Sequence, residues 1–505
     1  MLFNSFGFLI FFPIVTCVYF LIPQKLRYIW LLAASYYFYM CWNAGYALLL
    51  FSVTAVTYLG ALAMERFPKR KLFLALTVCI NLSVLFAFKY FDFALSNING
   101  LLARFSIMPI EPGFSLLLPV GISFYIFQAL GYTVDVYRKE IYAEKNFLRY
   151  ALFVSFFPQL VAGPIERSKN LLRQLKKEQH FDYLRMRKGL LIMLWGYFLK
   201  LVIADRAAIF INAVYEDPSF YGGVYLAVAT LLFAVQIYCD FAGYSTIARG
   251  AALVMGFSLT ENFEAPYFAK SVTEFWRRWH ISLSGWFRDY LYIPLGGNRK
   301  GNFIKYRNLL LVFLASGLWH GAAWNYVVWG GLNGIYQIAE GCVRDGMAKK
   351  KKEEIGDRNP DKSGKPLKAK GDAGTVRGTI KGMAGAVFTF LAIDVSWLFF
   401  RSDGIAGALE NLKSILGMRN FHVLTDGGIF SLGLNRYHFL FLLFAVVLLW
   451  IVDFIRYRGM DIFARIEEKK VIVRYGIYLV LFCLVVLFGI YGVGYEASQF
   501  IYFQF

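Results

Sequence analysis

The sequence predicts an all-α polytopic membrane protein, and three observations carry this prediction. Of the 505 residues, 58% are hydrophobic and only 17% are charged, whereas a soluble domain carries about a quarter charged residues. The mean hydropathy is positive, at +0.51. Apolar runs follow one another along the whole chain, which a series of soluble domains would not show.

The apolar runs predict about eleven to twelve membrane crossings, because the core of a bilayer takes about 20 residues per helix. The runs at 28–40 and 148–162 are shorter, which predicts tilted, re-entrant or partly buried helices there. No fixed-period repeat relates the two halves of the chain, a relation expected of many transporters. In chain order, the predicted spans are 3–22, 28–40, 45–63, 72–90, 115–134, 148–162, 188–214, 222–256, 308–338, 383–400, 436–454 and 473–494.

The net charge of +20 predicts membrane topology rather than a nucleic-acid partner, because the basic residues lie between the apolar runs. Such loops face the cytoplasm and meet anionic lipid headgroups, so membrane lipids are expected partners. This rule places the N-terminus and the C-terminus outside the cytoplasm. The basic loops are 65–71, 167–188, 299–307, 344–381 and 456–474.

Composition divides the chain into a membrane core and one polar insert. Residues 344–381 are rich in Lys, Gly, Asp and Glu and lack aromatic residues, which predicts a disordered cytoplasmic linker. The six cysteines are widely spaced, so neither a disulfide framework nor a metal site is expected. The predicted units are a core at 1–343, a linker at 344–382, further core helices at 383–472, and a final span with its tail at 473–505.

The densest polar cluster in the sequence is Phe275-Trp-Arg-Arg-Trp-His280-Ile-Ser-Leu-Ser284-Gly-Trp-Phe-Arg288. If this segment is one helix, Arg277, His280, Ser284 and Arg288 lie on one face, at spacings of three, four and four. Mixed aromatic and cationic residues suit either a polar cavity inside the protein or a helix at the membrane surface.

A second cluster, Ser316-Gly-Leu-Trp-His320-Gly-Ala-Ala-Trp324-Asn325, lies within an otherwise apolar run. Ionisable residues at membrane depth usually face the protein interior or a water-filled cavity. Gly317 and Gly321 have a spacing that lets another helix or an extended ligand approach His320 closely. Neutral imidazole accepts a hydroxyl proton and returns it, so His320 is the candidate base of an acyl transfer.

Two carboxylates also lie inside apolar runs, and we expect both to be structural. Asp240 and Asp394 would be costly without partners. Arg249 and Arg401 are near enough in sequence to pair with them, although other helices could supply the partners instead.

The motifs taken together resemble the membrane-bound O-acyltransferase family, in particular its bacterial branch of alginate O-acetylation proteins. The resemblance extends over nearly the whole chain and predicts a location in the bacterial inner membrane. It rests on Leu118-Pro-Val-Gly-Ile-Ser-Phe124, Asp135-Val-Tyr-Arg138, Phe157-Pro-Gln-Leu-Val-Ala-Gly-Pro-Ile-Glu-Arg167, Phe275-Trp-Arg-Arg-Trp-His280, Trp286-Phe-Arg-Asp-Tyr-Leu-Tyr-Ile-Pro-Leu-Gly-Gly-Asn-Arg299 and Gly317-Leu-Trp-His-Gly-Ala-Ala-Trp-Asn325.

The resemblance implies a ring of tilted helices around a thin centre, with a funnel from each side meeting at a catalytic histidine. That histidine corresponds to His320, and His280 corresponds to the one that supports it. No cofactor is expected to be bound, and acetyl-CoA is the expected acyl donor. The candidate residues for binding donor or substrate are Trp276, Arg277, Ser284, Arg288, Trp319, Trp324 and Asn325.

The expected activity is O-acetylation of a cell-envelope or secreted polysaccharide, and three alternatives stay open. A related branch transfers D-alanine to teichoic acid, but Tyr292-Ile-Pro-Leu-Gly-Gly-Asn-Arg299 resembles the acetyl branch more closely. A membrane transporter and a non-catalytic scaffold for polysaccharide export are the other two.

The chain ends in an apolar aromatic segment, Phe500-Ile-Tyr502-Phe-Gln-Phe505, which is unusual for a terminus. It resembles the end of a small one-span protein that accompanies the D-alanyl relatives. The resemblance implies that Tyr502 is the first acyl acceptor, and that an extracytoplasmic partner acyltransferase, similar to SGNH-type hydrolases, carries the group to the polymer. The alternative is that the tail only anchors in the membrane interface.

Overall fold

A computed structural model describes residues 1–113, 116–356 and 376–491, with the backbone alone described at 350–356 and 376–381. Within these ranges every regular element is helical, which confirms the predicted all-α class. The predicted tail at 500–505 lies outside the described residues.

Eleven helices form the first half of the chain. They are α1 (Phe6–Leu21), α2 (Gln24–Met40), α3 (Ala44–Arg66), α4 (Arg70–Leu85), α5 (Phe91–Arg104), α6 (Ile122–Tyr137), α7 (Phe147–Ser155), α8 (Phe157–Leu160), α9 (Ser168–Leu175), α10 (Tyr183–Tyr197) and α11 (Asp205–Glu216).

Ten more helices follow, and the described structure ends shortly after the last of them. They are α12 (Val224–Val254), α13 (Val272–Arg278), α14 (Ile281–Phe287), α15 (Asn302–His320), α16 (Trp324–Gly356), α17 (Val376–Arg401), α18 (Gly404–Leu416), α19 (Arg436–Tyr457), α20 (Ile462–Glu467) and α21 (Val471–Phe488). Wider π-helical turns join α4 to α5 at Phe86–Tyr90 and α10 to α11 at Phe198–Ala204, and one follows α14 at Arg288–Tyr292.

Six helices in the described part of the chain are long and apolar enough to cross a membrane. Most of the other predicted spans form helices that are shorter, interrupted or more polar, so length and composition support fewer crossings than the eleven to twelve expected. The six are Ala44–Arg66, Arg70–Arg104, Val224–Val254, Gly382–Arg401, Arg436–Tyr457 and Val471–Phe488.

Two predicted boundaries are wrong. The run at 308–338 is not one span, because the chain turns at 321–323 and α16 packs back against α15. The predicted linker is helical at both ends, since α16 continues to Gly356 and α17 begins at Val376. The remaining part, 357–375, lies outside the described residues.

Helix α12 forms the centre of the fold and packs against α10, α11 and α17. Glycines allow its close contact with α10: a Cβ at Gly250 would lie 2.6 Å from the Gly189 carbonyl oxygen, and one at Gly196 would lie 2.7 Å from that of Gly243. These two backbone contacts leave no room for a side chain, so the helices pack at their closest approach.

Neither buried carboxylate pairs with the arginine that is near it in sequence. Asp240 pairs with Lys200, which lies in the π-helical turn before α11 and also reaches Asp205 at 2.8 Å. Arg249 instead pairs with Glu261 at 2.8 Å. Arg401 donates to the Asn212 side chain at 2.9 Å rather than to Asp394. The suggested sequence-local pairs are therefore wrong, and the partner of Asp240, Lys200, comes from another segment.

Candidate active site

His320 is the last residue of α15, at the point where the chain turns into α16. Helices α15 and α16 approach closely because both carry glycines at their contact. A Cβ at Gly317 would lie 2.2 Å from the Tyr326 carbonyl oxygen, and one at Gly330 would lie 2.3 Å from that of Phe313. The predicted close approach at Gly317 is thus confirmed, and it fixes the helix end that carries His320.

His280 lies at a break between two short helices, not inside one continuous helix. Its φ of +45° is in the left-handed region, which non-glycine residues rarely adopt. Asn262 holds the break, because its backbone oxygen accepts from the Ile281 amide at 3.0 Å and its side chain accepts from the Ser282 amide at 3.1 Å. The predicted single helical face of Arg277, His280, Ser284 and Arg288 is therefore wrong.

The break nevertheless brings the two histidines together. Their ring centroids lie 6.4 Å apart, and their exposed fractions are 1% for His280 and 5% for His320. Aromatic rings surround both, with Trp329 at 5.0 Å from the His320 ring and Phe241 at 4.6 Å from the His280 ring. Such a dry setting strengthens any electrostatic interaction of the imidazoles.

Two cavities reach His320 in the described part of the chain, and the larger has a volume of about 630 Å³. One face of α15 lines it from Leu309 to His320, a length of about 16 Å at the 1.5 Å rise of an α-helix. The predicted residues that line the same cavity are Trp276, Arg277, His280, Ser284 and Arg288. The structure thus gathers most of the first polar cluster around one cavity, despite the helix break.

The mouth of the larger cavity is cationic. Arg277 and Arg288 are exposed there, and Arg167 lies beside them. Asp289 neutralises part of this charge, because it accepts from Arg288 at 2.7 Å and pairs with Arg167 at 2.6 Å. Burial alone would raise the pKa of Asp289, but hydrogen bonds and the two guanidinium charges outweigh it and lower that pKa.

A smaller cavity of about 50 Å³ reaches His320 from another direction. Trp319, Lys89 and residues 118–124 line it, including the first turn of α6. The far end of α6 lies near the larger cavity, because Arg138 donates to the backbone oxygen of Asp289 at 2.9 Å. The mouth of the larger cavity therefore lies toward the end of α6 opposite the smaller cavity, and both cavities reach His320.

Two predicted site residues, Trp324 and Asn325, lie away from both cavities. Trp324 is exposed and donates to the Asn97 side chain at 2.8 Å. Asn325 is buried and donates to the Ser402 backbone oxygen at 3.2 Å, so it ties α16 to the end of α17. Neither lines a cavity at His320, and Tyr502 lies outside the described residues. Sequence reasoning missed Lys89, although a lone lysine in an apolar run was a usable signal.

A family model and several individual proteins match this chain, and all of them point to one family. Residues 137–353, which include both histidines, match the model described as MBOAT, membrane-bound O-acyltransferase family. The probable alginate O-acetylase AlgI of Pseudomonas putida is 38% identical over 414 residues, covering 80% of this chain and 78% of that protein. The peptidoglycan O-acetyltransferase of Helicobacter pylori is 34% identical over 420 residues, covering 77% of this chain and 74% of that protein.

A teichoic acid D-alanyltransferase, from Streptococcus thermophilus, is more distant. It is 29% identical over 267 residues, covering 50% of this chain and 63% of that protein. The O-acetylase and the O-acetyltransferase therefore match this chain with higher identity and over more of its length than the D-alanyltransferase does. This chain is a multi-pass membrane O-acyltransferase, and it belongs to the membrane-bound O-acyltransferase family.

Proposed function

We propose that this protein moves an acetyl group from a cytoplasmic thioester to a hydroxyl group on the other side of the bacterial inner membrane, for O-acetylation of a cell-envelope or secreted polysaccharide. The observation that carries the proposal is that His320 lines two cavities, and that the mouth of the larger one lies toward the end of α6 opposite the smaller one. A donor and an acceptor can then reach one imidazole without either crossing the membrane.

His320 acts as the general base in this proposal. It takes the proton of the acceptor hydroxyl as the oxygen attacks the thioester carbonyl carbon. The new C–O bond forms, the C–S bond breaks, and the imidazolium returns the proton to the leaving thiolate. The products are an O-acyl ester and a free thiol. His280 borders the same cavity and orients the donor.

The donor occupies the larger cavity. Its length along α15 suits an extended thioester arm, and the arginines at its mouth suit the phosphates of acetyl-CoA. The C-terminal end of α6, which lies near the mouth of the larger cavity, also contacts the basic loop 65–71. There Arg70 donates to the backbone oxygen of Val136 at 2.9 Å. Because basic loops favour the cytoplasmic side, this contact supports a larger cavity that opens to the cytoplasm, with both termini on the other side of the membrane.

The acceptor is reached in two stages. Tyr502 takes the acyl group first, and an extracytoplasmic partner acyltransferase of the SGNH hydrolase-like type passes it to the polysaccharide. A phenol with a pKa of about 10 leaves an ester more readily than an alkoxide does, which makes an aryl ester a suitable relay. The relatives that carry O-acetylase and O-acetyltransferase names favour acetyl over D-alanyl transfer.

The test compares His320→Ala with the wild type in a strain that lacks the chromosomal gene, at equal protein levels in the membrane. Ester groups released by mild alkali from the polysaccharide fraction are identified by mass and counted. Removal of the base should lower the number of released ester groups by a factor of ~10²–10⁴. His438→Ala is the matched control, because that histidine is exposed at the start of α19 and touches neither cavity.

Wild-type ester levels with His320→Ala would overturn the proposal and favour a scaffold or a transporter. If D-alanine is released in place of acetate, the protein transfers D-alanyl rather than acetyl groups. Tyr502→Phe tests the relay separately, since it keeps the ring and removes the nucleophile. Wild-type esters with Tyr502→Phe would leave the tail as an interface anchor.

A further inference from the structure

Lys89 lies deep in an apolar stretch and reaches the helix end that carries the catalytic candidate. It belongs to the π-helical turn Phe86–Tyr90, inside the span Arg70–Arg104, whose most apolar window has a mean hydropathy of 2.1. Its Nζ donates to the backbone oxygen of Trp319 at 2.7 Å and to that of His320 at 3.1 Å. In the described part of the chain, no carboxylate lies within ion-pair distance of Lys89.

The next residue completes the same contact. The Tyr90 hydroxyl donates to the backbone oxygen of Leu318 at 2.8 Å. An α-helix leaves its last four carbonyl groups without partners, and a bilayer supplies no water to satisfy them. Lys89 and Tyr90 together satisfy the carbonyls of Leu318, Trp319 and His320, while the Gly321 amide reaches the fourth, that of Gly317, at 3.3 Å.

The two capping residues differ in one respect that makes their roles separable. Lys89 lines the smaller cavity together with His320, whereas Tyr90 lines neither cavity at the histidine. A cation at a helix C-terminus also interacts favourably with the partial negative charge there. Lys89 therefore fixes the backbone of His320 itself and closes the wall on the side opposite the donor cavity.

We propose that Lys89 is a positioning residue for acyl transfer, which acts by fixing His320 at the junction of the two cavities. The inference rests on the proposed role of His320 as base. A displacement of about 1 Å at a reacting group costs on the order of 10² in rate, so loss of the cap should lower turnover about 100-fold. The donor cavity is not touched, so the KM for acetyl-CoA should stay within about twofold.

The experiment measures transfer of labelled acetyl from acetyl-CoA into alkali-labile product in membrane vesicles. Lys89→Met removes the ammonium at nearly constant length, and Lys89→Arg keeps a donor and a charge. Tyr90→Phe is the matched control, because it removes one cap from the same helix end without altering either cavity. Thermal unfolding of each variant is followed in parallel.

We expect Lys89→Met to lose about 100-fold in kcat at unchanged KM, Lys89→Arg to recover at least tenfold of this loss, and Tyr90→Phe to stay within about fivefold of wild type. Lys89 is only structural if Lys89→Met keeps its kcat within fivefold of wild type. The same conclusion follows if Lys89→Met and Tyr90→Phe both lose activity in proportion to their loss of thermal stability. Should Lys89→Met fail to accumulate, Lys89→Gln is judged by the same limits. Activity retained by His320→Ala would instead defeat the proposed function.

Discussion

The contact between α15 and α16 predicts a substitution that should disable the enzyme without unfolding it. In Gly317→Ala, the new Cβ would lie 2.2 Å from the Tyr326 carbonyl oxygen, whereas ordinary contact begins at 3.4 Å. The two helices must therefore separate by about 1.2 Å at this point. His320 lies three residues further on, about 4.5 Å along the helix, so the shift reaches the imidazole almost undiminished.

A shift of about 1 Å costs on the order of 10² in rate. Stability should change far less, because alanine is favoured over glycine in a helix by roughly 0.5–1 kcal/mol, which offsets part of the packing strain of about 1–3 kcal/mol. Gly331→Ala is the control, since its Cβ would lie 3.6 Å from Leu314 Cδ2, an ordinary contact. Acetyl transfer in vesicles and thermal unfolding are measured for both. Equal activity of the two variants would refute the view that this contact positions His320.

Three further outcomes are expected. Arg277→Ala should raise the KM for acetyl-CoA about tenfold with little change in kcat, because it removes one exposed cation at the cavity mouth. An unchanged KM would show that Arg277 does not bind the donor. Asp240→Asn should lower the yield and the stability, by about 3 kcal/mol, since it leaves Lys200 with a weaker partner, while the specific activity of the folded protein is kept. Burial opposes ionisation of Glu144, but its hydrogen bond to Lys176 and neighbouring groups hold its pKa below the usual range of a glutamate. Thermal unfolding should therefore show the full cost of Glu144→Gln at neutral pH, and a smaller cost as the pH falls through that range and below it.

The sequence predicted the helical class, six spans that the structure forms as long apolar helices, and both histidine clusters, because hydropathy and residue type are local properties. It failed where distant residues decide the backbone. The periodicity of 275–290 fits one helix, but Asn262 holds the chain open at His280 through two hydrogen bonds that no local pattern contains. Likewise, the apolar run across 321–323 hides a turn that depends on the packing of Tyr326 against Gly317.

Ion-pair partners were the least predictable feature. Asp240 was recognised as buried and structural, yet its partner Lys200 is 40 residues away in sequence, in a π-helical turn of another segment. Lys89 was missed although it is a lone cation in an apolar run, and its partners are backbone oxygens 230 and 231 residues away. The residue types carry the signal in both cases, and only the fold supplies the contact.

If His320 lies between two cavities that open to opposite faces of the membrane, thiols placed in the two cavities should be accessible from opposite faces. In a background without the six native cysteines, Ser316→Cys places a thiol in the larger cavity and Ser123→Cys places one in the smaller. A small, membrane-impermeant thiol reagent is applied to vesicles of each orientation. We expect Ser316→Cys to react from the cytoplasmic face and Ser123→Cys to react from the opposite face. Reaction of both positions from the same face alone would contradict it.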